Sequence, residues 1–268
     1  MTATTSAWPG ANAAPAIKAT ELNAKASANF AAKLAATEDL LRQAATNFTA
    51  ADGTAQVVQA NSLGAEDVVV SHIIHRLGLN IPAFVLETGA LHPETLALLE
   101  RSIQATPGAI RVYKPQAEAV VQFVERNGAE AMYRSIELRK ACCNVRKMEP
   151  LARALAGQRA WITGLRREQS GARADVPATE TERAGDVERT KFNPLADWTW
   201  GDVWHYIATQ NVDYNPLHDQ FFPSIGCAPC TRAISLGEDF RAGRWWWEDE
   251  AAKECGLHVK KPADGAAA

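Results

Sequence analysis

The sequence has no apolar run that approaches the roughly 20 residues of a membrane-spanning helix, and it has little net charge. Its 268 residues carry a formal charge of −3 at pH 7, which excludes bulk attraction to nucleic acid, so any anionic ligand must be held by local basic groups. The opening MTATTSAWPG lacks the basic and apolar regions of a secretory signal and the arginines of a transit peptide. We therefore expect a soluble cytoplasmic protein in which disulfides are disfavoured.

Cysteine is scarce, but its spacing is informative. Five cysteines occur, and four of them form two close pairs, Cys142 with Cys143 and Cys227 with Cys230. Four thiolates that converge on one point suit either an iron–sulfur cluster or a structural zinc ion. Zinc knuckles usually separate their cysteines by about two to four residues, whereas Cys142 and Cys143 are adjacent. The pattern favours a cluster and leaves zinc as the alternative.

The fifth cysteine, Cys255, lies apart from the others, between Lys253 and His258. A thiol near cationic side chains can have a lowered pKa, and the thiolate is the form that acts as a nucleophile. Cys255 is therefore the candidate catalytic residue, and His258 is a candidate for orienting or activating it.

The apolar pattern predicts one α/β domain with two less regular ends. Hydrophobic residues make up 47% of the chain, which is enough for a sizeable core. Residues 1–28 are low in complexity and are predicted to form a flexible N-terminal extension, after which a helix begins near Phe30. Short β-rich runs then alternate with amphipathic stretches, which predicts parallel βαβ units. The predicted strands are 56–60, 83–86, 110–113 and 160–163, and the predicted helices are 66–77, 93–103 and 117–126.

The second half of the chain follows this alternation less closely. The stretch 166–191 is polar and charged and is predicted to be a long loop. The segment NPLADWTWGDVWHYIATQ predicts a turn and a helix, and the CxxC motif is predicted to open a short helical segment. We divide the chain into the extension, a ligand-binding α/β domain over 29–237, and an irregular C-terminal tail over 238–268 that carries Cys255.

Two strand-to-helix turns are candidates for holding a phosphate. The first, SLGAED from Ser62 to Asp67, can present backbone N–H groups and the positive end of a helix to an anion. The second contains Thr88 and Gly89 and follows the next strand, at the edge where open α/β sheets bind ligands. Ordinary helix capping by Asp67 is the alternative explanation of the first turn.

A series of motifs resembles one family of enzymes. From about Asn61 to His258 the chain contains, in order, SLGAEDVV, LETGALHPETL, CCNVRKMEPL, ITGLRREQS, NPLADWTWGDVW, GCAPCTR and GRWWWEDEAAKECGLH. Together they resemble the assimilatory adenylyl-sulfate (APS) and phosphoadenylyl-sulfate (PAPS) reductases. The resemblance implies an α/β fold of the adenine-nucleotide α-hydrolase (PP-loop) type, with a parallel sheet flanked by helices. Leu63 and Val68 replace a Gly and a Ser of the ATP-pyrophosphatase pattern, which indicates against ATP chemistry.

The resemblance also implies a role for each candidate residue. The two cysteine pairs would hold one [4Fe–4S] cluster per chain, and Cys255 would be the nucleophile. Within the reductases, Glu87 replaces a commoner Asp and Ala90 a commoner Arg. The implied substrate-binding residues are Ser62, Leu63, Gly64, Asp67, Thr88, Gly89, Lys147, Gly164, Arg166, Arg167, Arg241, Arg244 and His258.

The function implied is the thiol-dependent reduction of APS to sulfite and AMP in assimilatory sulfate reduction, on the route to cysteine. The reaction would pass through an S-sulfocysteine on Cys255, with thioredoxin or glutaredoxin as the reductant. Reduction of PAPS is the alternative activity, and a nucleotide-binding or cluster-sensing regulatory protein is the alternative class, which would not need the tail thiol. Relatives are often oligomeric, so a homo-oligomer is a further expectation. No role is predicted for His72, His75, His92, His205 or His218.

Overall fold

The centre of the structure, a computed structural model that describes residues 17–184, 187–235 and 237–249, is a six-stranded sheet. Its strands are β1 (Val57–Ala60), β2 (Ala83–Leu86), β3 (Ile110–Tyr113), β4 (Ala160–Ile162), β5 (Thr179–Ala184) and β6 (Val187–Phe192). They lie in the order β3-β2-β1-β4-β6-β5, and only β5 is antiparallel to its neighbour. The predicted parallel sheet is confirmed, with an antiparallel strand added at one edge.

Helices cover the sheet, as predicted. They are α1 (Ala19–Asn23), α2 (Phe30–Asn47), α3 (Ala65–Arg76), α4 (Pro93–Ala105), α5 (Ala117–Asn127), α6 (Ile136–Cys143), α7 (Glu149–Ala154) and α8 (Trp200–Gln210). Helix α3 connects β1 to β2 and α4 connects β2 to β3, which confirms the predicted βαβ units. None of the helices in the described ranges is both long and apolar enough to span a membrane.

The central strands are buried on both faces, as parallel strands between helices must be. Successive residues of a strand point to opposite faces, so Val57 and Val58 of β1 belong to two different hydrophobic clusters. Val57 packs in the larger cluster with Ile162 of β4, whereas Val58 packs in the smaller one with Trp161. The smaller cluster lies beside the candidate site described below.

The stretch 166–191, predicted to be a long loop, instead contains the hairpin strand β5 and all of β6 except its last residue. Strand β6 pairs in parallel with β4 and so extends the central sheet. Charged residues hid this strand pattern, because the hairpin lies at the sheet edge and uses ion pairs across its strands. Lys191, only 3% exposed, lies within 3.1 Å of carboxylate oxygens of both Glu180 and Glu182. A buried, paired lysine reads in sequence as a solvated loop residue.

The folded part begins earlier than the predicted boundary at residue 28. Residues 17–28 include α1, which packs against α8, and Ala19 is 1% exposed. The backbone N–H of Ala19 donates to Asp219 Oδ1 at 2.7 Å, and that of Lys25 donates to the Gly201 carbonyl at 3.2 Å. These polar anchors, rather than a long apolar stripe, fix the segment, which explains why its composition alone indicated flexibility.

Asp202 connects this N-terminal segment to α8. Its buried carboxylate accepts hydrogen bonds from the backbone N–H groups of Ser27 at 2.7 Å and Thr199 at 3.0 Å, and from Lys33 Nζ at 2.8 Å. Burial opposes the charged form, but these donors outweigh burial and hold the pKa of Asp202 well below its usual range. One carboxylate therefore both caps α8 and attaches residues 25–33.

Replacing Asp202 by Asn is expected to lower the free energy of unfolding by about 2–4 kcal/mol, because buried donors lose a charged acceptor. Urea unfolding measures this change, and proteolysis should cut first near residues 17–28. Asp213→Asn is the matched control, since Asp213 pairs with Arg101 at an exposed position and should change stability by less than about 1 kcal/mol. Equal effects of the two substitutions would contradict the assignment.

Candidate active site and cysteine cluster

A cavity opens at the carboxyl edge of the parallel strands, where the turns after β1, β2 and β4 meet. One wall is apolar and belongs to the smaller hydrophobic cluster, with Phe84, Leu151 and Trp161 as its largest members. Four cationic side chains also line the cavity: Lys147, Arg173, Arg241 and Arg244. An apolar wall suits a flat ring, and cationic side chains suit phosphate or sulfate oxygens, so the lining matches the chemistry of an anionic ligand that carries a flat ring.

The turn after β1 presents three of its predicted residues to the cavity, namely Ser62, Gly64 and Asp67. Leu63 does not reach it, because its side chain is fully buried in the core. Asp67 Oδ2 accepts hydrogen bonds from the Ser62 backbone N–H at 2.8 Å and the Ser62 hydroxyl at 2.5 Å. Burial is the main cause that raises the pKa of Asp67 to about 6, and the neighbouring Glu66 charge adds to it. The turn thus binds its own carboxyl group with donors that the sequence pattern offered to a phosphate.

In the turn after β4, Gly164 lines the cavity but Arg166 does not. Gly164 lines the cavity against Asp67, and a Cβ at this position would collide with that carboxyl group. Arg166 is fully buried and lies outside the cavity lining, with Nε 3.0 Å from Glu66 Oε1 and Nη1 2.9 Å from Glu168 Oε2. Its guanidinium group therefore holds the turn together.

Arg167 also lies outside the cavity, and Arg173 lines it instead. Arg167 donates to the Val176 carbonyl at 2.8 Å and pairs with Asp197 at the surface. Arg173 is 8% exposed and is held by a 2.6 Å hydrogen bond from its Nη1 to Gln169. No motif distinguishes Arg173 from the charged residues around it. Two short 3-10 turns, Arg167–Gln169 and Gly171–Arg173, bring it back to the sheet edge.

The turn after β2 connects the cavity to the cysteines. Thr88 is buried, and its hydroxyl lies 3.3 Å from Cys227 Sγ. Gly89 has φ of +70°, a conformation that favours glycine, and a Cβ there would lie 3.1 Å from Arg146 Nη1. That same Nη1 donates to the Thr88 carbonyl at 2.7 Å, so the glycine lets the arginine close over the turn.

The four paired cysteines line a second, smaller hollow next to the cavity. Cys142, Cys227 and Cys230 are each 8% exposed, Cys143 is half-buried, and all four are free thiols. Burial is the main cause that raises the pKa of Cys142, and it raises the pKa of Cys230 to about 12. Burial keeps these thiols protonated, whereas a metal centre bound here would favour their thiolate forms.

A [4Fe–4S] cluster is compatible with the residues around this hollow. Trp245 packs against Cys142, Cys227 and Cys230, and its buried indole Nε1 has no hydrogen-bond acceptor in the described part of the chain. A buried donor of this kind requires an acceptor, which a sulfur of a bound cluster would provide. Within the described ranges, no group of three or more His, Cys, Asp or Glu side chains is arranged to hold a metal ion.

Lys147 lines both the cavity and the cysteine hollow. It lies in a π-helical turn, Asn144–Met148, between α6 and α7. Such turns interrupt the regular helical spacing and often occur at functional sites. The turn places Lys147 and Arg146 next to Cys142, where their charges lower the pKa of the thiol against the larger effect of burial.

Arg241 and Arg244 reach the cavity from the segment that follows the CxxC motif. Both are buried, and their guanidinium carbons lie 6.0 Å and 4.8 Å from the centroid of the Trp245 ring. Arg244 Nη1 also donates to the Ile225 carbonyl at 3.1 Å. Cys255 and His258, predicted to be the nucleophile and its helper, lie outside the described residues.

His218, for which the sequence predicted no role, also lines the cavity. It is 7% exposed and packs edge-on against Trp200 and Trp204. Burial lowers its pKa to about 4, although the carboxylates of Glu66 and Asp219 favour the protonated form. A lone histidine in a turn carries no motif, so only the fold could bring it to the site.

The sequence of this chain is similar to those of known proteins. The chain matches the phosphoadenosine phosphosulfate reductase domain over residues 56–233. It is 54% identical to adenosine 5'-phosphosulfate reductase of Allochromatium vinosum over 76% of this chain and 79% of that protein. It is 52% identical to the enzyme of the same name from Burkholderia cepacia, over 75% of this chain and 79% of that protein.

Two solved structures have a similar fold. A phosphoadenylyl-sulfate reductase from Candida auris, in a phosphate complex, aligns with a TM-score of 0.59 and 25% identity over 72% of this chain and 88% of that chain. The FMN adenylyltransferase of Candida glabrata with FMN and an ATP analogue aligns with a TM-score of 0.54 and 11% identity, over 88% and 82%. The second likeness is one of fold alone, and it agrees with the predicted α/β fold.

The depressed pKa of His218 predicts a specific dependence of stability on pH. The unfolded state takes up a proton near the ordinary pKa of 6.5 while the folded state does so near 4, so His218 lowers stability as the pH falls through this window. Between pH 7 and pH 5 its contribution to the free energy of unfolding should decrease by about 2 kcal/mol.

Urea unfolding of wild type and His218→Phe at both pH values isolates this contribution, because other titrating groups such as Asp67 are common to both proteins. The stability of His218→Phe relative to wild type should rise on acidification. Replacing the exposed His75 by Phe provides the control. The same pH dependence in wild type and His218→Phe would contradict the prediction.

Proposed function

The chain belongs to the phosphoadenosine phosphosulfate reductase family, and on that premise we propose that it reduces adenylyl sulfate to sulfite and AMP. One observation carries the proposal: a cavity with an apolar wall and four buried or half-buried cations adjoins the hollow lined by the four paired cysteines. A plain nucleotide-binding protein would need the cavity but not the cysteines. The relatives named adenosine 5'-phosphosulfate reductase support the same activity.

In this proposal the substrate lies along the cavity. The adenine ring packs against the apolar wall that includes Phe84, Leu151 and Trp161, since aromatic and aliphatic side chains favour a flat heterocycle. The phosphate and sulfate oxygens then meet Lys147, Arg173, Arg241 and Arg244. Ser62, Gly64, Thr88 and Gly164 are the proposed contacts along the edges of the turns, as the sequence predicted for them.

Arg166 and Arg167 have a different part in the proposal from the one the sequence predicted. Arg166 is engaged by Glu66 and Glu168, and Arg167 by Asp197 and the Val176 carbonyl. We assign them to the support of the turn that presents Gly164, and we assign the anion contact on this side to Arg173.

The chemistry proceeds in two displacements at sulfur. In the first displacement, the Cys255 thiolate attacks the sulfur of the substrate and forms an S–S bond. The bond from that sulfur to the phosphate oxygen breaks, and AMP leaves with the electron pair. Cations around the oxygens stabilise the charge that develops on the leaving phosphate. A thiolate of an external dithiol then attacks Cys255 Sγ and releases sulfite, and its second thiol closes a disulfide and frees Cys255. The dithiol supplies both electrons, and thioredoxin or glutaredoxin is the proposed class of reductant.

The proposed cofactor is one [4Fe–4S] cluster per chain, held by Cys142, Cys143, Cys227 and Cys230. When bound, such a cluster supplies a compact anionic centre beside the cavity. Lys147, which lines both hollows, is the residue that can neutralise this charge while facing the substrate. We place the protein in the cytoplasm, where free thiols persist, and a homo-oligomer remains part of the proposal.

Preference for the nucleotide that lacks a ribose 3′-phosphate has an electrostatic basis. The turn after β1 contributes Glu66 and Asp67 to the cavity lining. Glu66 is already paired with Arg166, so this turn offers no additional cation to a second phosphate, and rejecting a ligand requires only that its charge go without a partner. Use of the 3′-phosphorylated nucleotide is the second candidate activity, supported by the family description and by the Candida auris structure.

An anaerobic assay of sulfite release tests the activity. With thioredoxin and matched ionic strength, kcat/KM for APS should exceed that for PAPS by at least about tenfold. Without reductant, wild type should gain one sulfonate on the peptide that carries Cys255, whereas Cys255→Ser should gain none, because a serine hydroxyl is a far poorer nucleophile. Equal or inverse preference would establish the PAPS activity, and a label on Cys227 or Cys230 would refute the assigned nucleophile.

Metal analysis tests the cofactor. Anaerobically purified protein should be brown and contain about four iron and four sulfide per chain. Cys142→Ser should lose iron and activity together, while Cys255→Ser, the matched control, should keep the iron and lose only activity. Stoichiometric zinc without iron would refute the cluster.

A further inference from the structure

A buried ion pair connects the cysteine-bearing helix α6 to the segment that leads to Cys255. Arg139 Nε lies 2.9 Å from Glu248 Oε1, and Arg139 Nη2 lies 2.6 Å from Glu248 Oε2, which makes the pair bidentate. The two side chains are 1% and 2% exposed. The buried pairs Lys33–Asp202, Arg166–Glu66 and Lys191–Glu180 each have one partner that is more exposed.

The surroundings of the pair involve both halves of the site. Arg139 lines the cysteine hollow on the helix that ends with Cys142 and Cys143, and its guanidinium carbon lies 4.7 Å from the centroid of the Trp245 ring. Arg241 and Arg244, which line the cavity, also lie near the Trp245 ring. The Trp245 backbone N–H donates to the Cys230 carbonyl at 3.2 Å. One tryptophan therefore lies between the cysteines, the cavity cations and the ion pair.

The Arg139–Glu248 pair is better suited to fixing the position of its two chain segments than to stabilising the fold. Burying two charges carries a large desolvation penalty, and well-packed apolar residues often stabilise a fold at least as well. A bidentate guanidinium–carboxylate contact, however, fixes both distance and orientation. Glu248 also donates its backbone N–H to the Trp245 carbonyl at 2.8 Å, so its main chain and side chain are both held.

The position of Glu248 limits where the nucleophile can go. Cys255 follows Glu248 by seven positions in the chain. An extended chain of that length spans at most about 25 Å, and a flexible one stays much closer to its attachment point. A fixed attachment next to the cysteine hollow, which adjoins the cavity, restricts the volume available to the Cys255 thiol and so raises its effective concentration near the site.

We propose that Arg139 and Glu248 are a positioning pair for the first displacement: they fix the point from which the chain continues to Cys255, and they tie that point to the cysteine-bearing helix. The proposal rests on the proposed function, in which Cys255 attacks the substrate. It assigns the pair neither a contact with the nucleotide nor a contact with the reacting atoms.

Single-turnover kinetics of Glu248→Gln and Arg139→Lys test the pair. The rate constant for sulfonation of Cys255 by APS, followed by intact mass without reductant, should fall by about tenfold or more in each variant. Equilibrium binding of AMP and the iron content should stay within about twofold of wild type, because neither side chain is assigned a contact with the nucleotide or a metal ligand. Exchange of the backbone amides in 244–249 should become faster, while β1 and α3 are unchanged.

Two controls make the result specific. Glu238→Gln removes the same carboxylate from a half-exposed pair with Arg232 in the same region of the chain, and it should not slow sulfonation. The double variant Arg139→Lys/Glu248→Gln should be no slower than the slower single variant, since both substitutions break one interaction.

Three results would overturn the proposal: wild-type sulfonation rates in the single variants, additive losses in the double variant, or losses of iron or AMP affinity that match the loss of rate. The last would make the pair a general support of the cysteine site. Absence of any adduct in wild type would instead refute the proposed function, which keeps the two failures distinguishable.

Discussion

The parallel pairing of β1, β2 and β4 is the constraint on which the site depends. Parallel strands end at the same edge, so the three turns that follow them are brought together there. Sheet hydrogen bonds continue into these turns: the Asn61 N–H donates to the Phe84 carbonyl at 2.8 Å, and the Thr163 N–H donates to the Phe192 carbonyl at 3.0 Å. The first residues of the site are thus held by the same ladder that holds the core.

Buried cations are the second organising feature, and each has a defined counterpart. Arg166 is neutralised by Glu66 and Glu168, and Arg139 by Glu248. Arg241 and Arg244 line the cavity and lie near the Trp245 ring. Arg166 and Arg139 lie outside the cavity lining, so their guanidinium groups support the scaffold, whereas Arg241 and Arg244 are placed where an anionic ligand would bind.

Prediction from sequence succeeded where a residue pattern carried a local physical rule. The alternation of strands and helices was readable because buried parallel strands need continuous apolar runs such as Ala83–Leu86. It failed at Lys191 and Glu180, which pair across a hairpin. It also failed at residues 17–28, which are held by packing of α1 on α8 and by hydrogen bonds to Asp202, Asp219 and Gly201. Contacts between residues that are far apart in the chain produce no regular pattern of residue types, so they cannot be predicted from the sequence.

By itself the sequence determined the class of fold, the two cysteine pairs, the isolated Cys255 and the family, because each of these depends on residue types and spacing along the chain. Only the tertiary structure decided which arginine faces the cavity: Arg166 turns inward to Glu66, while Arg173 lines the site. The fold also places His218 in the cavity lining, and it pairs Glu248 with Arg139, which is far away in the chain. The physical reason is that a charge or a ring has no fixed role until folding decides whether water, a counter-ion or a ligand surrounds it.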